Sequence, residues 1–191
     1  YKTSIVTKTY SGEGVIVKDG NAKGIIIKGI ETNKKDSIKF LTNSISSGKI
    51  ENFKKETIFI GGELAFNLNL EVGNKVSLMS SSFISTPFGG LPKQQTFIIA
   101  GIFNTGFYEF DQNFIFLNID DSLSLFDKDK KDQNIEIFLS DPMKSDEIKK
   151  KIQDLNFNYF VYSWSDLNKS FFSALKVERN VMFLILTLIL I

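Results

Sequence analysis

The first thirty residues alternate loosely between apolar and polar positions, which is the pattern of β-strands with one buried face. The clearest runs are Val15–Lys18 and Gly24–Ile30. Ser11-Gly12 and Asp19-Gly20-Asn21 contain residue types that favour tight turns between such runs. The pattern therefore predicts two or three strands joined by hairpins.

The next segment changes to a helical pattern. Its apolar residues recur at intervals of three and four, at Ile38, Leu41 and Ile45. Thr32 or Asn33 can cap a first turn here, and Gly48 is typical of a helix end. We predict a helix from about Lys34 to Ser47.

Short apolar runs separated by turns dominate the middle of the chain and predict strands. These runs are Thr57–Ile60, Lys75–Ser80, Gln94–Asn104 and Asn113–Asn118. A short helix is predicted near Glu63–Leu68, and Gly73 after it suits a turn with positive φ. Asp120 is the expected cap of another short helix that runs to Phe126.

After a charged stretch at Asp127–Asp132, the pattern predicts a βαβ unit. Its parts are a strand at Asn134–Leu139, a helix at about Met143–Leu155 and a strand at Tyr159–Ser163. This order indicates an α/β domain formed by residues 1–56 and 133–163, with a β-rich subdomain, residues 57–132, inserted between its two parts. The fold class is therefore α+β.

The last predicted helix, Trp164–Asn180, begins with a capping box formed by Ser163 and Asp166. It leads into Val181–Ile191, where Thr187 is the only polar residue. A membrane-spanning helix needs about 20 apolar residues. We expect this stretch to be the first half of such a helix in a longer chain; a buried core helix or strand is the alternative.

Composition excludes several kinds of chemistry. The chain has no His and no Cys, so it can form neither a Ser-His-Asp nor a Cys-His nucleophile, nor the common zinc sites. No phosphate-binding GxxxxGK[ST] motif is present. The formal net charge of +1 argues against nucleic-acid binding. We predict no metal site, and we expect the chain to be non-catalytic.

Carboxylates are the remaining acid or base groups. Glu109 and Asp111 would share one face if they lay on a strand, and Asp120-Asp121 is a second pair. The surrounding sequence favours a turn at Gly106–Asp111 and a helix cap at Asp120, so a structural role is the preferred interpretation. A carboxylate enzyme centred on Glu109 and Asp111 stays as an alternative.

The segment Thr86–Lys93 has the composition of a binding loop. Its core consists of two prolines around a Gly-Gly pair, with two large apolar residues: Pro87, Phe88, Gly89, Gly90, Leu91 and Pro92. Prolines reduce the conformations of the unbound loop, so docking costs less entropy. An ordinary long loop whose Phe88 folds back onto the subdomain explains the same residues equally well.

Several of these segments together resemble a known family of transporter subunits. They are GIIIKGI at 24–30, Gly-Gly-Glu-Leu-Ala at 61–65, TPFGGLP at 86–92, FIIAGIF at 97–103, Gly-Phe-Tyr-Glu-Phe-Asp at 106–111 and SWSDLNKSFFSALKVERNVMFLILTLI at 163–189. Together they resemble the large periplasmic domain of LolC/LolE-type permeases, the membrane subunits of the lipoprotein-releasing ABC transporter.

The resemblance implies a discontinuous porter-like subdomain with an inserted sabre-like subdomain, located on the periplasmic side of the bacterial inner membrane. In this family, a proline-containing hook on LolC-type subunits recruits the soluble chaperone LolA, and it corresponds here to 86–93. The resemblance also implies a LolD-like ATPase subunit that binds ATP and Mg²⁺, a second permease subunit and triacylated lipoprotein substrates. No cofactor is expected in this chain.

The segment 164–191 is then the connection to the membrane. We predict that Trp164, Phe171, Phe172 and Leu175 couple motion of the membrane helices to the periplasmic domain. The alternative within transporters is a MacB-type efflux or export permease, which would dock a tall adaptor protein instead of a chaperone.

Overall fold

The computed structural model describes residues 5–33, 38–87, 89–155 and 159–190. In that part of the chain the strands are β1 Ile5–Lys18, β2 Asn21–Ile30, β3 Ile45–Gly48, β4 Thr57–Gly61, β5 Lys75–Thr86, β6 Gly89–Phe103, β7 Phe114–Asn118 and β8 Asn134–Phe138. The helices are α1 Lys39–Thr42, α2 Gly62–Asn67, α3 Tyr108–Asn113, α4 Ile119–Phe126, α5 Ser145–Asp154, α6 Trp164–Leu167 and α7 Lys169–Leu190. The predicted α+β class is confirmed.

One mixed, eight-stranded sheet organises the fold. Its strands run in the order β2-β7-β4-β6-β5-β1-β8, and β3 pairs with β6 beside this path. Because β1 also pairs with β2, the strands from β2 to β1 form a closed circuit. Parallel pairs join β2 to β7 and β4 to β6, whereas β1, β2, β5 and β6 pair through antiparallel hairpins.

Apolar residues on both faces of the central strands are buried. On β4, Ile58 and Ile60 join one hydrophobic cluster, whereas Phe59 between them joins a second cluster. β7 repeats the arrangement, since Ile115 and Leu117 belong to the first cluster and Phe116 to the second. Strands with two buried faces have continuous apolar runs in their sequence, which is why β4 and β7 were both predictable.

The first hairpin differs from its prediction at one turn. Asp19-Gly20 forms the predicted turn, with positive φ at both residues. Ser11-Gly12, however, lies inside β1 and pairs with Lys28 and Ile27 of β2. Gly12 is needed there because a Cβ atom would lie 2.5 Å from the ring of Phe126. The glycine marks a close approach of α4 to the strand and not a turn.

The predicted helix from Lys34 to Ser47 is wrong over its second half. Among the described residues of this range the structure has the short α1, and Ile45–Gly48 forms β3, which pairs with β6. Residues 34–37 lie outside the described residues. Gly48 has a φ of +89°, and a Cβ there would lie 2.3 Å from the carbonyl oxygen of Ala100. Pairing with β6 therefore overrides the helical spacing.

The segment after the main sheet is also less regular than predicted. The strand β8 and the helix α5 match their predictions. Tyr159–Ser163, by contrast, is not a strand, so the predicted βαβ unit is wrong. The side chain of Phe160 is 92% exposed. The large apolar residues of this segment are therefore exposed and not buried in the sheet.

The chain divides into two compact units, Ile5–Ile137 and a second that contains Phe138–Ile191. The boundaries of the porter-like and sabre-like subdomains stay a prediction. In the second unit α7 runs without interruption from Lys169 through Val181 to Leu190. No helix among the described residues is long and apolar enough to cross a membrane.

Candidate functional site

The β5–β6 hairpin holds most of the predicted binding loop. Its last strand pairs are Phe83 with Pro92, Ile84 with Leu91, Ser85 with Gly90 and Thr86 with Gly89. β5 ends at Thr86 and β6 begins at Gly89, and Phe88 lies outside the described residues. The prediction of an eight-residue loop is wrong, because Gly89–Lys93 belongs to β6.

Two large apolar side chains are exposed in this tip segment, which we define as residues 83–92. Leu91 is 60% exposed and Phe83 is 69% exposed. Since Ile84 pairs with Leu91 and Phe83 with Pro92, Phe83 and Leu91 lie on opposite faces of the hairpin. The tip segment thus presents one apolar anchor on each face.

Phe83 was missed by the sequence analysis. It follows Ser80-Ser81-Ser82, a polar run that ends the predicted strand Lys75–Ser80. The available signal was the strand-favouring residue types Phe83, Ile84 and Thr86, which continue the strand beyond the serines. Gly90 lies on the Phe83 face, and a Cβ at Gly90 would be 3.4 Å from the Phe83 ring. A Cβ at Gly90 would therefore make an ordinary van der Waals contact with this ring, and a Cβ at Gly89 would have no heavy atom within 4 Å.

The second predicted group lies at the start of the C-terminal helices. The ring centroids of Trp164 and Phe172 are 5.1 Å apart in an edge-to-face arrangement, and those of Phe171 and Phe172 are 5.9 Å apart. Leu175 and Trp164 are half-exposed. The aromatic members of the predicted coupling group are thus in mutual contact.

The prediction of one continuous helix from Trp164 to Asn180 is wrong at Asn168. α6 ends at Leu167, and Asn168 adopts a non-helical conformation with φ −112° and ψ 29° before α7 begins. The Asn168 side chain donates a hydrogen bond to the carbonyl oxygen of Trp164 at 2.9 Å. Its own carbonyl accepts from the amide of Phe172, so the two helices stay linked across the break.

A polar cluster ties α5 to the first turn of α6. The predicted capping box is confirmed: the amide of Ser163 donates to Asp166 Oδ2 at 2.8 Å, and the Ser163 hydroxyl accepts from the amide of Asp166. From α5, Lys149 Nζ lies 2.6 Å from Asp166 Oδ2. Asp146 Oδ1 lies 2.6 Å from the hydroxyls of Ser163 and Ser165.

Both carboxyls of this cluster are more acidic than usual. The Lys149 hydrogen bond, together with those from Ser163, lowers the pKa of Asp166 to about 2. Hydrogen bonds from the hydroxyls of Ser163 and Ser165 lower the pKa of Asp146. Both groups are therefore ionised at neutral pH, when the cluster is fully formed.

The two carboxylates considered as catalytic groups have different environments. Glu109 is exposed on α3, whereas Asp111 is buried and accepts hydrogen bonds from the amides of Thr105 and Gly106 and from the Thr105 hydroxyl. Asp111 therefore holds the turn before α3, and the two carboxyls do not face a common site. This geometry gives no support to the carboxylate-enzyme alternative.

The second carboxylate pair also has structural contacts. The cap of α4 is Asn118, whose side chain accepts from the amide of Asp120, so the assignment of the cap to Asp120 is wrong. Asp121 accepts from the amide of Glu56 at 2.8 Å. Burial raises the pKa of Asp121, and this hydrogen bond partly opposes the rise.

The fold is similar to that of one solved transporter domain. The structure matches the extracellular domain of the noncanonic ABC-type transporter YknZ from Gram-positive bacteria with a TM-score of 0.51 and 10% sequence identity. The match covers 79% of this chain and 75% of that chain. No family model matches the chain.

Sequence relatives are more specific. The chain is 28% identical over 184 residues to the lipoprotein-releasing system transmembrane protein LolC of Neisseria meningitidis serogroup B, covering 94% of this chain and 44% of that protein. It is 29% identical over 168 residues to LolC of Xylella fastidiosa, covering 86% of this chain and 40% of that protein. The resemblance to LolC-type permease subunits is therefore confirmed, and the chain spans less than half the length of these relatives.

Proposed function

We propose that the chain is the periplasmic domain of a permease subunit in an ATP-driven transporter that releases lipoproteins from the bacterial inner membrane. The observation that carries this proposal is the similarity to LolC over 94% of the chain. The similarity of the fold to the YknZ extracellular domain supports the same class of protein. The rest of the transporter would comprise a second permease subunit and a LolD-like ATPase.

Energy coupling is required by the chemistry of the substrate. Burial of each CH₂ group of an acyl chain contributes about 0.8 kcal/mol, so extraction of two or three chains from a bilayer is strongly unfavourable. The sequence has no phosphate-binding loop of its own, so ATP and Mg²⁺ would be held by the separate ATPase subunit. This domain contributes binding and relayed motion.

The tip segment is the proposed docking site for a LolA-like periplasmic chaperone. It offers Phe83 on one face and Leu91 on the other, and Phe88 falls between the two strands in the sequence. Exposed apolar residues on a hairpin suit a partner with a hydrophobic groove or an open strand edge. Docking there would hold the chaperone close to the exiting lipid, so the acyl chains avoid water.

The test is capture of purified LolA-type chaperone by variants of this domain. We expect Leu91→Asp and Phe88→Asp each to weaken binding by about tenfold or more, because a charge replaces an apolar anchor. Phe66→Asp is the matched control, since Phe66 is 84% exposed on α2 and lies outside the tip segment. Capture of the chaperone by both tip variants at the wild-type level would contradict the docking site.

The same measurement decides between the two transporter classes. A MacB-type permease would bind an adaptor protein and would not capture a LolA-type chaperone. If the wild-type domain retains an adaptor and not the chaperone, the lipoprotein-release function is wrong while the permease assignment stands.

A further inference from the structure

The base of the β5–β6 hairpin is attached to the end of α4 by side chains of both strands. Ser80 Oγ donates to the carbonyl oxygen of Leu125 at 2.7 Å, and Ser82 Oγ donates to that of Phe126 at 2.5 Å. From β6, Lys93 Nζ lies 3.0 Å from Asp127 Oδ1. We call Ser80, Ser82 and Lys93 the anchor residues.

The anchor exists because the strand pairing is irregular at this point. Met79 pairs with Gln94 and Phe83 pairs with Pro92, so three residues of β5 face one residue of β6. Such a bulge releases side chains from the regular alternation and bends the strand. The Ser80 hydroxyl also accepts from the amide of Ser82 at 3.2 Å, which satisfies a backbone donor of the bulge.

The bulge lies where the hairpin leaves the sheet. Ser80 is the last residue of β5 that pairs with β1, opposite Gly14. Beyond it, β5 pairs only with β6 in the described residues. A free two-stranded ribbon is marginally stable and can twist or swing about its base. The anchor residues act at the base, where they can limit that movement.

The anchor also completes the C-terminal end of α4. The last carbonyls of a helix have no partner within it. Here the amides of Lys128 and Asp127 donate to Leu123 and Ser124, and the two serines serve the remaining pair, Leu125 and Phe126. Ser80 is only 4% exposed, so replacement of its hydroxyl leaves a buried carbonyl without a protein donor.

We propose that Ser80, Ser82 and Lys93 are positioning residues that fix the direction in which the tip segment points. This inference rests on the proposed docking role of the tip. Contacts from both strands resist rotation of the hairpin about its long axis, which one strand alone would permit. A hairpin with a fixed direction meets its partner in the correct orientation more often, so association is faster.

The first readout is the spread of tip positions. The chain has no Cys, so Ala22→Cys and Leu91→Cys give two unique spin-label sites, one on β2 and one in the tip segment. We expect a narrow distance distribution in the otherwise unchanged protein and a distribution at least about twofold wider with Ser80→Ala and Ser82→Ala, because the ribbon is then held only by Lys93. Ser82→Thr keeps the hydroxyl. In a protein that retains Ser80, this variant should therefore have a distance distribution as narrow as that of the protein with both serines.

The second readout is the association rate with purified LolA-type chaperone, measured without labels. The double alanine variant should associate at least about threefold more slowly, with the apolar anchors of the tip intact. Ser81→Ala is the matched control, because Ser81 lies in the same bulge with an exposed side chain. If the double variant unfolds, Ser82→Ala alone and Lys93→Met provide the same comparison.

The outcomes separate the two proposals. An unchanged distance distribution in the double variant, or a wider one with wild-type association, overturns the positioning role. If the wild-type domain captures no chaperone, the proposed function fails; the distance distribution then still decides whether the anchor residues direct the tip.

Discussion

Single residues at close contacts decide much of this structure. Gly12 illustrates the point, since a Cβ added to it would lie 2.5 Å from the Phe126 ring. Tyr10, two residues earlier, also contacts that ring, with centroids 5.4 Å apart. α4 is therefore seated against β1 at a position where only glycine fits.

This contact leads to a stability prediction. Gly12→Ala should lower the free energy of unfolding by about 1–3 kcal/mol, because the added methyl group forces the Phe126 ring from its position. Urea denaturation followed by circular dichroism measures the change. Gly24→Ala is the control: it lies on the paired strand with no heavy atom within 4 Å of the added Cβ, so a change within about 0.5 kcal/mol is expected. Equal effects at both positions would contradict the packing explanation.

Whether the role of a residue could be predicted depended on how far along the sequence its contacts lie. Asp19-Gly20 was identified as a turn because turn chemistry is local. The role of Gly12 was not, because its reason is Phe126, more than a hundred residues later in the chain. Ser80 and Ser82 were missed for the same reason, since their partners are carbonyls of α4.

At the scale of elements, the α5–α6 connection is held by charge. Asp166 has a pKa of about 2 in the folded protein against an ordinary 3.8, and the pKa of Asp146 is also lowered. A depressed folded pKa contributes stability above the unfolded value, and that contribution is lost as the pH falls toward the folded value. The connection should therefore loosen between about pH 4 and pH 2.

Trp164 reports this change directly, because it is the only Trp and follows Ser163 in the capping box. We expect its fluorescence to change between about pH 4 and pH 2, and Lys149→Met should move the change to higher pH by removing the main stabilising partner of Asp166. Glu147→Gln on the same helix is the control and should leave the transition in place. A flat signal across this range in the wild-type chain would show that the cluster does not hold the connection.

Elements with a strong local pattern were predicted correctly, and those that depend on a partner were not. The helix α2 and the strands β4 and β7 follow their apolar patterns closely. Ile45–Gly48 has helical spacing with its upstream residues, yet it becomes β3 because it pairs with Gly101–Phe103 of β6, which lie beyond the pairing of β6 with β5. Most of the predicted binding loop belongs to a hairpin, because β5 continues past Ser80, Ser81 and Ser82 to Thr86.

At the scale of the whole molecule, the proposed function requires motion to pass along the C-terminal helices. The interruption at Asn168 is short, and the Trp164–Phe172 contact bridges it. A stiff connection transmits a displacement of the membrane helices, whereas a flexible one absorbs it. Trp164, Phe171, Phe172 and Leu175 stay candidates for this coupling.

Insertion of two glycines after Asn168 tests the coupling. Glycine disfavours helix by about 1 kcal/mol per residue, so the insertion separates α6 from α7. In the reconstituted transporter we expect lipoprotein release to fall at least about tenfold, since each 1.4 kcal/mol of lost coupling corresponds to that factor, while chaperone capture is retained. The same insertion after Lys128, in the loop between α4 and β8, should leave release unchanged. Normal release with the glycines after Asn168 would exclude the relay.

Local sequence patterns were enough to predict the α+β class, most strands of the closed circuit, the capping box at Ser163 and the resemblance to LolC-type permeases. These features are encoded in periodicity and in motifs whose residues are neighbours along the chain. Tertiary structure alone decided β3, the extent of the β5–β6 hairpin, the exposure of Phe83 and the anchor of Ser80, Ser82 and Lys93. The physical reason is that each of these depends on hydrogen bonds or burial between segments far apart in sequence, which a local pattern does not contain.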